Sequence, residues 1–199
     1  MLICNGGYMN HFFAYMARMK YIKRWSLMKN NGEENIQEHS LQTAMIAHAL
    51  AVIKNKLYGG SLNEERVVLL AMYHEAGEVI TGDLPTPIKY YDPNIKKAYK
   101  NIEAEAEKRL IATLPQELRE VYEPLVSQQD SPERRTVKHA DKICAYLKCV
   151  EELRGGNKEF VKAANTVKAD IDAIDTPEVK YFMQKFVPSF ELTLDEMEI

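Results

Sequence analysis

The stretch YHEAGEVITGDLPTP, residues 73–87, follows the apolar run Val67–Met72 and places one histidine and three acidic residues within ten positions. On a regular helix, His74 lies one turn beyond Leu70, and Glu78 lies one turn beyond His74 on the same face. Ionisable side chains enter an apolar face when they are paired with each other or bind a metal. The pattern therefore indicates either a metal or catalytic site or the exposed end of an ordinary helix.

The helical period continues through nearly the whole chain, and no alternating run predicts a strand. Capping residues, glycines and prolines separate the predicted helices from the connection Arg24–Gly32 and from an irregular loop at Gly82–Pro87. We expect one domain, residues 1–199, with an all-α fold: a helical bundle or orthogonal array of about seven to nine helices. The predicted helices cover His11–Ile22, Asn35–Tyr58, Ser61 or Asn63 to Ile80, Pro93–Thr113, Pro115 to before Ser131, Pro132–Arg154, Lys158–Asp172 and Pro177–Phe186.

Composition narrows the class of protein further. The 199 residues are 46% hydrophobic and 28% charged, which is typical of a globular protein, and the net charge of −3 argues against binding to a nucleic-acid polymer. The chain shows neither an apolar run of membrane-spanning length nor a secretion signal. Cys4, Cys144 and Cys149 are odd in number, and the closer two point to different faces of a helix, so we expect reduced thiols in the cytoplasm.

Four potential metal ligands lie on three predicted helices: His39, the adjacent pair His74 and Glu75, and Asp141. Two imidazoles and two carboxylates form a site that suits a divalent transition metal, and an open position on such an ion lowers the pKa of a bound water. Purely structural roles for His39 and Asp141 are alternatives to metal binding. His39 can be a polar residue near a helix cap, and Asp141 can pair with a neighbouring lysine, Lys138 or Lys142.

The spacing of these four residues resembles that of the HD-domain metal-dependent phosphohydrolases, and the chain is more specifically similar to the bacterial HD-domain 5′-deoxynucleotidases. The similarity covers nearly the whole chain, and the loop TGDLPTP is its most specific motif. The segments that carry it are Arg24–Met28, Glu38–Gln42, Ala71–His74, Thr81–Pro87, Ala145–Cys149 and Phe186–Phe190.

The resemblance implies that residues 1–199 form a single HD-domain-like phosphohydrolase domain with an HD-domain-like helical bundle or orthogonal array. It also implies a homodimeric enzyme that removes phosphate from deoxyribonucleoside 5′-monophosphates with a divalent metal cation, Co, Mn or another transition metal. It implies that Glu78 handles the proton of the attacking water. The chemistry of the residues agrees, since an arginine can fork onto a phosphate and a tryptophan offers a flat face to a sugar or base. The implied metal ligands are His39, His74, Glu75 and Asp141, and the implied substrate contacts are Arg24, Trp25, Asp83, Leu84, Pro85 and Thr86.

The chain departs from the family at its defining His-Asp pair, which here is His74-Glu75. The extra methylene moves the carboxylate oxygen by roughly an ångström, whereas metal–ligand distances vary by only about 0.2 Å. The alternative is therefore a nucleotide-binding protein with weakened or lost hydrolysis, and a purely structural helical protein is a third hypothesis. A zinc protease is a poor reading, because the residue four positions after His74 is Glu78 and not a histidine.

Overall fold

A computed structural model describes residues 9–89 and 91–197. These residues form ten α-helices and no strand apart from an isolated bridge between Lys23 and Asn35. Seven of the helices are nine residues or longer, and the prediction of an all-α fold is confirmed. The helices are α1 Phe12–Met16, α2 Ile36–Tyr58, α3 Glu64–Met72, α4 Glu78–Thr81, α5 Thr86–Lys89, α6 Pro93–Ala112, α7 Gln116–Val126, α8 Pro132–Arg154, α9 Val161–Asp172 and α10 Pro177–Lys185.

Local signals in the sequence set most helix ends. Asn35 Oδ1 accepts hydrogen bonds from the backbone N–H groups of Gln37 and Glu38, both at 3.0 Å, and so caps α2. Asn63 caps α3 in the same way, accepting from the N–H of Arg66 at 2.9 Å. Gly59 follows α2 with a φ of 66°, a conformation that glycine adopts without steric cost. The predicted bounds of α2 and α8 are therefore confirmed.

Two predicted helices are interrupted. The segment predicted as His11–Ile22 ends its α-helix at Met16 and continues as a short 3₁₀ helix at Met19–Tyr21. The helix predicted to reach Ile80 ends at Met72, and residues 73–77 form turns before α4 begins. The prediction that His74 and Glu78 lie on successive turns of one regular helix is therefore wrong.

The irregular loop is shorter than predicted. Gly82 has a φ of 73° and lies just after α4, but the helix α5 already begins at Thr86. Only the four residues between α4 and α5 are not helical. Pro85 and Pro87 were predicted to prevent helix formation here, but Pro85 directly precedes α5 and Pro87 is its second residue. Proline is compatible with the first turn of a helix, because its missing N–H has no partner there.

Tertiary contacts divide the chain into two compact units. Unit 1 contains the residues up to Ser26, Glu34–Glu38 and Tyr73–Gln129. Its core joins α1, α6 and α7 around Phe12, whose ring centroid lies 5.3 Å from that of Tyr122. Ala76 is fully buried in this core. The core of unit 1 thus anchors the turns that carry His74 and Glu75.

Unit 2 contains Leu27–Glu33, His39–Met72 and Asp130–Ile199. Its central helix is α8, which packs against α3 and α9 and buries an apolar stripe that includes Val137, Ala140, Cys144 and Leu147. Cys144 and Cys149 are buried free thiols, in agreement with the prediction, and Cys4 lies outside the described residues. Among the described residues, no helix is both long and apolar enough to cross a membrane.

A buried carboxylate, Glu152 on α8, organises the start of unit 2. It is 1% exposed and pairs with the buried ammonium group of Lys148 at 2.6 Å. It also accepts hydrogen bonds from the backbone N–H groups of Asn31 and Gly32 and from the side chain of Asn157. Burial alone raises the pKa of Glu152, but these donors outweigh burial and lower the pKa to about 2.

Candidate active site

His39 and Asp141 form a pair within unit 2. His39 lies in the first turn of α2 and is fully buried, and its Nε2 is 3.0 Å from Oδ1 of Asp141 on α8. The Asp141 side chain is 38% exposed, so this pair joins a buried imidazole to a carboxylate that solvent can reach. Lys142, one of the two lysines considered as a partner for Asp141, instead binds Asp170 at 2.7 Å. His39 is an interior residue of α2, and the cap is Asn35.

His74 and Glu75 form a second pair, within unit 1. His74 Nε2 lies 3.3 Å from Glu75 Oε1, and both side chains are largely buried. The turns that hold them use hydrogen bonds from residue i+3 to residue i, such as Ala76 N–H to Tyr73 O at 3.0 Å. These turns wind more tightly than an α-helix, and Ala76 between them is buried. His74 and Glu75 therefore belong to neither α3 nor α4.

Both pairs consist of side chains that commonly bind metal ions. Each pair offers one imidazole nitrogen and one carboxylate, and both are ligand types that suit a divalent transition-metal ion. Glutamate, like aspartate, can bind a metal through a carboxylate oxygen. The side chain of Glu75 is one methylene longer than that of an aspartate, so its oxygen lies farther from the backbone. All four side chains predicted as ligands therefore occur in histidine–carboxylate pairs.

Glu78, the predicted proton-handling acid, is the first residue of α4 and is only 9% exposed. Burial raises the pKa of Glu78 most, and the charge of Glu75 and a hydrogen bond with it raise the pKa further. Asp83 adds to this effect and the positive charge of Arg24 opposes it, which leaves the pKa well above its usual range. Three carboxylates, those of Glu75, Glu78 and Asp83, therefore lie close together in unit 1. Binding of a cation there would be favourable, because it would offset their negative charge.

Arg24 and Trp25, predicted to contact substrate, precede α2 and share one partner in Glu34. Trp25 Nε1–H donates a hydrogen bond to Glu34 Oε2 at 3.1 Å, and Arg24 Nε lies 3.2 Å from the same oxygen. Trp25 has a φ of 57°, a conformation that costs a bulky residue on the order of 1–3 kcal/mol. Sequence analysis missed Glu34, because no spacing rule links it to residues nine and ten positions earlier.

The predicted substrate loop is attached to α6 by residues that sequence analysis also missed. The hydroxyl of Tyr99 donates to the carbonyl oxygen of Gly82 at 3.2 Å, just before Asp83. Lys89 lies 5.0 Å above the Tyr99 ring and binds Glu103 at 2.8 Å. Sequence analysis missed Tyr99 because its partner Gly82 lies 17 positions earlier in the chain. Leu84 and Pro85 are partly exposed in this loop, and the side chain of Thr86 lies outside what the structure describes.

The fold defines a class of protein. The chain is similar in structure to an HD-domain phosphohydrolase from Listeria innocua, with a TM-score of 0.80 and 22% identity over 90% of this chain and 88% of that one. A cyanophage S-2L HD phosphohydrolase, bound to dA and one catalytic Zn²⁺ ion, gives a TM-score of 0.61 with 20% identity over 90% and 96% of the chains. The fold is therefore that of the HD-domain phosphohydrolases.

Sequence comparison identifies the family. Residues 11–190 match the family described as 5′-deoxynucleotidase YfbR-like. A 5′-deoxynucleotidase of Vibrio cholerae is 58% identical over 190 residues, which cover 94% of this chain and 98% of that protein. The chain belongs to the YfbR-like 5′-deoxynucleotidase family, and the resemblance found in its sequence is confirmed.

Proposed function

We propose that the protein is a 5′-deoxynucleotidase that hydrolyses deoxyribonucleoside 5′-monophosphates to a deoxyribonucleoside and phosphate. Membership of the family carries this proposal, and the observation in the structure that supports it most is the crowding of Glu78 by Glu75 and Asp83 beside Arg24. A divalent cation bound beside these acids would favour the carboxylate form of Glu78, which could then accept a proton from water and deliver it to the leaving group.

We further propose that His39, His74, Glu75 and Asp141 hold one divalent metal ion. When bound, the ion supplies positive charge that offsets the phosphate and lowers the pKa of the attacking water. The fold neighbour with a catalytic Zn²⁺ ion supports a transition metal, and Co or Mn is consistent with the same donors. Because Glu75 is longer than aspartate, we expect the preferred metal to differ from that of a His-Asp site.

The other residues bind the nucleotide and move the proton. Glu78 takes the proton of the attacking water on its carboxylate and releases it as the ester oxygen leaves. Arg24 pairs with the phosphate oxygens, and Trp25 packs its indole against the sugar or base. Asp83 accepts a hydrogen bond from a sugar hydroxyl, and the backbone of the loop through Leu84, Pro85 and Thr86 shapes the pocket wall.

The setting of the enzyme is also part of the proposal. The chain crosses between the two units several times, which supports a single domain over residues 1–199. Buried free thiols support a reducing compartment, the cytoplasm. The family resemblance supports a homodimer, and the net charge of −3 supports small nucleotides, not nucleic-acid polymers, as partners.

Phosphate release from metal-stripped protein tests the proposal directly. Co²⁺, Mn²⁺, Zn²⁺ or Mg²⁺ is added back with a panel of deoxyribo- and ribonucleoside 5′-monophosphates. Metal-dependent turnover that is lost in Glu78→Ala and kept in Glu117→Ala, an exposed acid of unit 1, supports the enzyme. Turnover that needs Glu75→Asp instead identifies a nucleotide-binding protein on a phosphatase fold. Absence of turnover in both forms contradicts the enzymatic proposal.

A further inference from the structure

Glu34 connects two residues of the proposed nucleotide site. Its Oε2 atom accepts the indole N–H of Trp25 at 3.1 Å and lies 3.2 Å from Nε of Arg24. We propose that Glu34 is a positioning residue that holds the Arg24 guanidinium group and the Trp25 indole in the orientation that receives the nucleotide. This inference rests on the proposed function, because it assumes that Arg24 and Trp25 contact substrate.

The backbone around Trp25 supports this role. Trp25 has a φ of 57°, in the left-handed region that large side chains rarely adopt unless neighbouring contacts impose it. Two backbone hydrogen bonds pair the residues just before Trp25 with the segment that leads into α2. Arg24 N–H donates to Glu34 O at 2.9 Å, and Ile36 N–H donates to Ile22 O at 3.0 Å. Glu34 therefore contributes its main chain as well as its side chain to the segment that fixes Trp25.

The chemistry of the contacts explains why one carboxylate serves both side chains. An arginine binds phosphate through a planar fork, so its usefulness depends on the orientation of that plane. The ion pair holds the guanidinium group of Arg24 close to the Glu34 carboxylate, and the hydrogen bond from the indole N–H to the same carboxylate restrains rotation of the Trp25 ring. The Arg24 and Glu34 side chains are only 14% and 12% exposed, so solvent screens this ion pair weakly. A site arranged before the substrate arrives loses less entropy on binding.

Trp25 is the only tryptophan of the chain, so its fluorescence reports on this arrangement directly. We would compare Glu34→Ala and Glu34→Asp with the same substitutions at Glu33, the exposed neighbouring acid. Glu34→Asp keeps the charge but is one methylene shorter, so it separates position from charge with little risk to folding. The measurements are acrylamide quenching and emission of the metal-free protein without nucleotide, and then kcat and KM for deoxyadenosine 5′-monophosphate with metal.

The Glu34 variants are expected to show about twofold stronger quenching of Trp25 as the indole loosens. Their KM is expected to rise about tenfold, the loss typical of a hydrogen bond to a charged group, with a smaller change in kcat. Quenching in the Glu34 variants equal to that in the Glu33 variants overturns the inference. If the unmodified protein releases no phosphate, the proposed function fails, and the quenching comparison still decides whether Glu34 holds Trp25. If Glu34→Ala unfolds, Glu34→Asp gives the decision.

Discussion

Glu152 in unit 2 and Glu78 in unit 1 are both buried glutamates, but their neighbours shift the pKa values of the two side chains in opposite directions. Glu152 receives hydrogen bonds from an ammonium group, an amide side chain and two backbone N–H groups, and its pKa falls to about 2. Glu78 instead lies beside Glu75 and Asp83, and burial together with their charges raises its pKa. Positive charge near Glu78 comes from Arg24, which opposes the rise without overcoming it.

The difference distinguishes a structural carboxylate, Glu152, from Glu78, the carboxylate that we propose to be catalytic. A buried charge that stabilises a fold is surrounded by donors, because an uncompensated charge is costly in a low-dielectric interior. A group that exchanges protons needs a pKa shifted toward the working pH, and repulsion between acids provides such a shift. Repulsion between acids is therefore present at Glu78, in the proposed active site, and is offset by hydrogen-bond donors at Glu152.

The largest expected effect is on catalysis at Glu78. Glu78→Gln keeps the shape of the side chain but removes its proton exchange, so we expect phosphate release to fall roughly 10²- to 10⁴-fold. The metal-free variant is expected to melt at the same temperature or higher, because one of the three crowded acids is gone. Retention of more than a tenth of the activity, or a clear drop in melting temperature, contradicts the assignment of Glu78 as a functional acid.

The opposite result is expected at Glu152. Glu152→Gln leaves the buried Lys148 ammonium group without its counter-charge, and we expect a loss of roughly 3–5 kcal/mol in the free energy of unfolding. Urea denaturation measures this loss. The matched control is Glu151→Gln on the exposed face of α8, for which a change within about 0.5 kcal/mol is expected. Equal effects at the two positions remove the distinction between Glu152 and a surface acid.

The pH dependence of stability sharpens the same contrast. The pKa of Glu152 is lower in the folded chain, about 2, than its ordinary value of 4.5, so its ionised form stabilises the fold above pH 4.5. This stabilisation is lost as the pH falls from about 4.5 toward about 2. We expect the unfolding free energy of the unmodified protein to fall more steeply in this window than that of Glu152→Gln. Parallel curves for the two proteins disprove the low pKa.

Local signals made much of the fold predictable. Asn35 and Ser131 cap helices through bonds to residues two or three positions away, and proline at the start of α6 acts equally locally. The proposed metal ligands were predicted from the family motif, without knowledge of their contacts. The interruption at residues 73–77 was missed because it depends on Ala76 reaching a core built from α1 and α6, which lie far away in sequence. Glu34 and Tyr99 were missed for the same reason.

The smallest expected effect is at Gly77. It tests whether the backbone turns at residues 73–77 contribute to the difference between Glu78 and Glu152. Gly77, between Glu75 and Glu78, has an ordinary helical conformation, with φ −62° and ψ −28°. A Cβ there would lie 3.4 Å from Cγ of Glu107, at the edge of normal packing. We expect Gly77→Ala to gain about 0.4–1 kcal/mol of stability through the unfolded chain and to keep its activity within about twofold. This result would mean that the repulsion at Glu78 depends on its neighbouring side chains and not on the backbone conformation at Gly77. A large loss of activity, measured beside an unchanged melt, would show instead that the backbone at Gly77 must move for Glu75 to reach its working position.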